Sequence, residues 1–151
     1  MFMRDNEIME HKILMVDDSE EMHELYKKII EKMNAKNFGM QFSLEHCFQG
    51  EVGVLKVREA YRNKDPYSLV IMDIRMPPGI DGIQTIKHIR EEYPQTEFIV
   101  CTAFQQYSWE DYLEIFGPTD KILYINKPYN KTTMKQLTLY VCSKNPIKSS
   151  V

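Results

Sequence analysis

The chain has only three cysteines in 151 residues, Cys47, Cys101 and Cys142, and no pair stands at the CxxC spacing of a metal site. An odd, scattered set excludes a disulfide-stapled scaffold and a structural zinc site, and it favours a reducing compartment. Cys101 lies inside an apolar run and reads as a small buried hydrophobe. The four histidines, His11, His23, His46 and His88, form no spaced ligand pair. His23 and His88 fall in helical segments and are expected to be exposed. No apolar run approaches the roughly 20 residues of a membrane span. The opening residues carry Asp5 and Glu7 where a secretory leader would carry basic and then apolar residues, so a cytoplasmic protein is expected. Nineteen basic against 22 acidic residues leave a net charge of −3, without the basic excess of a nucleic-acid-binding surface. Glycine is also scarce, at six residues, and no glycine-rich loop follows the first apolar run. Asp17-Asp18-Ser19-Glu20-Glu21 stands there instead, and it would repel a nucleotide or flavin phosphate unless a metal intervened.

What the chain does have is a regular alternation of short apolar runs and longer amphipathic stretches. Ile13-Leu14-Met15-Val16 stops at Asp17-Asp18. Ser19 is a good helix cap, with Glu20 and Glu21 near the positive end of the dipole. Met22, Leu25, Tyr26, Ile29, Ile30 and Met33 then recur at helical spacing, and Asn34 to Gly39 closes the helix. Phe42 to Phe48 predicts a second strand, broken at Gly50 before a helix through Val52, Leu55 and Tyr61. Tyr67 to Met72 is a continuous apolar run ending at Asp73, as in a strand covered on both faces. Met76-Pro77-Pro78-Gly79 must be a loop, because proline lacks the donor that regular structure needs.

Asp81 to Tyr93 predicts a helix with Ile83, Ile86 and Ile89 inward, stopped by Pro94. Phe98 to Cys101 predicts a fourth strand ending at Thr102, and Trp109 to Phe116 a helix closed by Gly117-Pro118. Ile122 to Ile125 predicts a fifth strand ending at Asn126-Lys127-Pro128. The last helix runs from Lys131 to Ser143 with Met134, Leu137, Leu139 and Val141. Five strands and five helices in alternation give an α/β domain with a five-stranded parallel sheet. Right-handed crossovers then favour the flavodoxin-like order 2-1-3-4-5. One domain over residues 1–151 is expected, with its core at about 12–143.

The unusual polar residues all fall at strand ends: Asp17 and Asp18 after the first, Asp73 after the third, Thr102 after the fourth and Lys127 after the fifth. Open parallel sheets bind ligands beyond the carboxyl ends of their strands, so these five side chains converge on one edge. Three crowded carboxylates need a cation or must take up protons. Oxygen donors with no imidazole or thiolate favour Mg²⁺. A lysine and a hydroxyl beside such a cation suit a phosphoryl group, whose transfer depends on positioning and charge stabilisation.

In these pieces the chain resembles the receiver domains of response regulators of two-component signalling. They are Lys12-Ile13-Leu14-Met15-Val16-Asp17-Asp18-Ser19, then Val70-Ile71-Met72-Asp73-Ile74-Arg75-Met76-Pro77 with Asp81-Gly82, and finally Thr102-Ala103 and Lys127-Pro128-Tyr129. The resemblance implies that Asp73 accepts a phosphoryl group from a phosphohistidine. It implies Mg²⁺ on Asp18 and Asp73, with the Arg75 backbone carbonyl and, through a water, Asp17. Lys127 would pair with Asp73 at rest, Thr102 would reach a phosphoryl oxygen, and Tyr124 would swing inward as Thr102 moves. Phe104 would shield the phosphoryl group from water.

The partners implied are a histidine kinase or histidine phosphotransfer protein, and a downstream protein or output domain outside this chain. Direct contact with nucleic acid or membrane is not expected. A phosphorylation-dependent dimer is compatible with the family. The resemblance describes a signalling phosphoacceptor that catalyses only its own phosphorylation and dephosphorylation, not a metabolic enzyme. Two alternatives stand beside it. A magnesium-dependent phosphatase of the haloacid dehalogenase type wants a second aspartate where Arg75 stands. A constitutive protein-binding pseudo-receiver would be expected to lose an acidic or lysine position, and none is lost. The loop from Met76 to Gly82 is one residue longer than usual in the family. The stretches around Phe38 to Val52 and Gln105 to Asp120 are long as well.

Overall fold

The apolar runs become strands because each is short, is rich in β-branched or long apolar side chains, and is covered on both faces. The computed structural model describes residues 8–36, 39–103 and 107–144. Its elements alternate strictly: β1 (Met9–Val16), α1 (Glu20–Asn34), β2 (Met40–Cys47), α2 (Gly50–Arg62), β3 (Leu69–Asp73), α3 (Gly82–Glu92), β4 (Phe98–Thr102), α4 (Trp109–Phe116), β5 (Ile122–Asn126) and α5 (Lys131–Ser143). The sheet is parallel with order β2-β1-β3-β4-β5, as the alternation predicts. β1 begins earlier than its apolar run, since Met9 already pairs with Met40 of β2.

Alternate strand residues feed two cores. Leu14, Val16, Val70, Met72, Phe98 and Val100 meet Val57 of α2, Ile83, Ile86 and Ile89 of α3 and Tyr112 of α4. Ile13, Met15, Leu69, Ile71, Ile99 and Cys101 meet Tyr26, Ile29 and Ile30 of α1 and Met134 and Val141 of α5. A fully buried leucine or isoleucine contributes roughly 2 kcal/mol, so these two layers dominate stability. Caps set where the helices start: Ser19 accepts from Met22 N, Asp81 forms a capping box with Gln84, Ser108 one with Asp111, and Asn130 accepts from Thr133 N.

One expectation about facing is corrected, and two helices turn apolar residues outward. His23 is buried, not exposed, because both ring nitrogens find partners. Val52 and Leu55 point outward. α2 instead presents Gly50, Gly53, Val57 and Ala60, since a side chain at Gly50 would collide with Thr85 and Ile80. On α5, Leu139 is exposed while Thr138 is fully buried, its hydroxyl 2.8 Å from the Tyr26 hydroxyl.

Candidate functional site

Parallel strands end at the same edge, and the order β1-β3-β4-β5 makes the polar strand ends neighbours. The carboxylates of Asp17, Asp18 and Asp73 offer oxygen atoms that all lie within 4.8 Å of one another. Asp17 and Asp73 are buried and Asp18 is exposed. The Lys127 ammonium enters between the two buried acids, donating to Asp17 Oδ2 at 2.8 Å and standing 3.3 Å from Asp73 Oδ1. Thr102 is buried beside it, and its backbone carbonyl accepts from Lys127 N at 2.8 Å.

Burial pushes the Asp73 carboxyl up to about 6, and the Asp17 charge adds to the rise while Lys127 opposes it. Burial works against the charged form of Lys127. Its hydrogen bond to Asp17 and the charges of Asp73 and Asp17 outweigh that and raise it above its ordinary value. The Lys127 ammonium thus pairs with two of the three carboxylates, Asp17 and Asp73. The donor set is all hard oxygen, partly open to solvent through Asp18, and it fits a magnesium ion that keeps several waters.

Residues 13–138 match the family model of the response regulator receiver domain. The chain belongs to that family. Chemotaxis protein CheY of Halobacterium salinarum is 33% identical over 126 residues, covering 83% of this chain and 92% of that protein. A CheY-like receiver domain from Methanospirillum hungatei superposes with a TM-score of 0.70 at 20% identity, covering 89% of this chain and 94% of that one. Response regulator TrrA of Thermotoga maritima, solved with Mg²⁺ and a beryllium fluoride, superposes at 0.64 with 27% identity, covering 87% and 98%. No described helix is long and apolar enough to cross a membrane.

Within this receiver domain, Asp17 is held at every polar atom. Its N donates to Cys47 O at 3.2 Å, and Oδ1 accepts from Ser19 N at 2.8 Å. Oδ2 takes Lys127, and the backbone carbonyl takes His23 Nε2 at 2.7 Å. The sequence reading paired Lys127 with Asp73 alone and placed His23 in solvent, so it missed two of these contacts. Gly82 carries a further constraint: a Cβ there would collide with the Asp73 carbonyl, and Gly82 N donates to Ile74 O at 2.8 Å. Only glycine lets α3 start so close to the end of β3.

Arg75 is exposed in the loop after Asp73. That loop is tied to the first turn of α2, where Glu51 Oε2 accepts from Ile80 N at 3.1 Å. Tyr124, half-buried on β5, stacks on Tyr112 of α4 with ring centroids 4.5 Å apart and planes 19° from parallel. Both line a cleft of about 440 Å³ with Thr102, Tyr107 and Trp109. Phe104, Gln105 and Phe38 lie outside the described residues.

Proposed function

We propose that this receiver domain, read as one unit over residues 1–151, is a phosphoacceptor switch of a two-component or phosphorelay system. The observation that carries the reading is the gathering of Asp17, Asp18 and Asp73 at one sheet edge, with Lys127 paired to Asp17 and Asp73. An Asp73 carboxylate oxygen attacks the phosphorus of a phosphohistidine on a histidine kinase or phosphotransfer protein. The new P–O bond makes an acyl phosphate, the P–N bond breaks, and the departing imidazole keeps the electron pair and takes up a proton.

Asp18, Asp73, the Arg75 backbone carbonyl and, through a water, Asp17 would hold Mg²⁺, which would offset the charge gathered on the phosphoryl oxygens. Lys127 follows the charge from carboxylate to phosphoryl oxygen. The Thr102 hydroxyl turns to donate to a second oxygen, and Tyr124 fills the space it leaves. Phosphorylation adds roughly one to two negative charges and strong acceptors, enough to bias such a two-state pair. The face of α4, β5 and α5 then alters for a downstream protein, an output domain or a second copy. The chain acts in the cytoplasm and turns over no substrate beyond its own phosphorylation and dephosphorylation.

Incubation with Mg²⁺ and acetyl phosphate tests this. One phosphoryl group on Asp73 by mass spectrometry, lost in Asp73→Asn and in EDTA, is the expected result. Label at another residue, or none on the wild type, overturns it.

A further inference from the structure

The turn that carries Asp17 and Asp18 is fixed from an unexpected direction. Ser19 caps α1, and His23 N donates to Ser19 O at 3.3 Å, which places residue 23 one helical turn beyond the cap. The His23 ring then reaches back over that turn. Its Nε2 lies 2.7 Å from the Asp17 carbonyl and its Nδ1 lies 2.8 Å from His46 Nδ1. Phe48 packs against the ring at 4.6 Å between centroids and excludes water from one side.

Elementary bonding rules assign the protons. A carbonyl oxygen only accepts, so His23 Nε2 carries hydrogen. In a neutral ring Nδ1 is then the acceptor, and His46 Nδ1 must donate to it. Burial, and then the nearby His23, hold His46 below its ordinary value, which agrees with a neutral His46 ring. Asp17 N donates to Cys47 O of β2, and the β1–β2 register ends at Val16, so the Asp17 carbonyl lies beyond that ladder, where the His23 ring meets it.

We propose that His23 is a positioning residue of the acceptor site: its Nε2–H holds the Asp17 backbone so that the Asp17 and Asp18 carboxylates face the cation, and His46 fixes the required tautomer. The inference rests on the Mg²⁺ reading of the aspartate cluster. Partners that orient ligands from outside a metal's own shell are typically worth about 10–100-fold in affinity.

The test compares wild type, His23→Gln and His23→Leu at pH 8 by calorimetric titration with Mg²⁺ and by ¹⁵N NMR of histidine-labelled protein. Glutamine keeps a donor at the Nε2 position and leucine keeps only bulk. His23→Leu should bind Mg²⁺ about tenfold more weakly, and His23→Gln within about threefold of wild type. The wild-type His23 ring should show the Nε2–H tautomer with and without Mg²⁺, a signature that stands even where His23→Leu does not fold. Wild-type affinity in His23→Leu, equal loss in both variants, or an Nδ1–H tautomer overturns the proposal alone. A wild type that binds no Mg²⁺ overturns it together with the reading of the site.

Discussion

Lys127 donates to Asp17 Oδ2 at 2.8 Å, and this bond joins residues 110 positions apart. Asp17 is almost wholly buried, so without the ammonium its charge would lie unpaired beside that of Asp73. Breaking a buried pair from one side is costly. Lys127→Met should therefore lower stability by roughly 3 kcal/mol in EDTA at pH 7.5, and millimolar Mg²⁺ should restore part of it. Urea denaturation with and without the cation measures both numbers. Equal midpoints for variant and wild type in EDTA would remove Lys127 as the counterion.

Asp73 gives a pH dependence whose sign is opposite to that of a carboxylate in a favourable ion pair. Its carboxyl is pushed up to about 6, whereas in the unfolded chain it ionises near 3.9, a value of about that size being usual. Between those values the folded state binds more proton than the unfolded one, so stability falls as pH rises. The loss continues as pH rises through about 6, is nearly complete by about pH 7, and amounts to roughly 2–3 kcal/mol without metal. Asp73→Asn should lack this loss and should exceed wild type in stability above pH 6 in EDTA. Urea midpoints taken across the range check it, and parallel curves for the two proteins would refute it.

Gly82→Ala should cost about 2 kcal/mol, because the added methyl meets backbone of Asp73 and Ile74 that cannot easily retreat. Phosphorylation by acetyl phosphate should slow with it, since the acceptor strand end is displaced. Gly79→Ala is the control: its Cβ would meet only the side chains of Glu51 and Gln49, which can move. Its stability should stay within about 0.5 kcal/mol of wild type. Comparable losses in the two variants would contradict the close approach of α3.

All three cysteines are buried thiols, with burial pushing Cys47 up to about 11 and Cys101 higher still. A thiol-reactive disulfide reagent at pH 8 should label none of them within minutes in the native protein and all three in urea. Rapid labelling of Cys101 in the native state would show β4 to be open.

The strand order and the five strand-end residues were legible because both follow from rules of connection: short apolar runs stopped by acids, and right-handed crossovers between them. The observed order β2-β1-β3-β4-β5 agrees with the expected one. What stayed illegible depended on particular partners. Val52 and Leu55 sit at helical spacing, yet α2 turns them outward because its glycines allow closer packing against α3 and Val16. Thr138 displaced Leu139 from the core only because Tyr26 supplies a hydroxyl to meet it. His23 looked polar and therefore exposed, but a carbonyl and a second imidazole satisfy it in the interior. Tyr112 carried no signal of its stacking on Tyr124, since an aromatic on a short helix fits plain core packing equally well.

Four separate strands deliver the residues of the acidic edge, so no continuous stretch of polypeptide contains it. A chain cut before Ile122 retains every aspartate and lacks the amine that tempers them. On the proposed reading, competence to accept a phosphoryl group would be a property of the finished fold, gained when the last strand docks on β4 and forfeited as soon as it leaves.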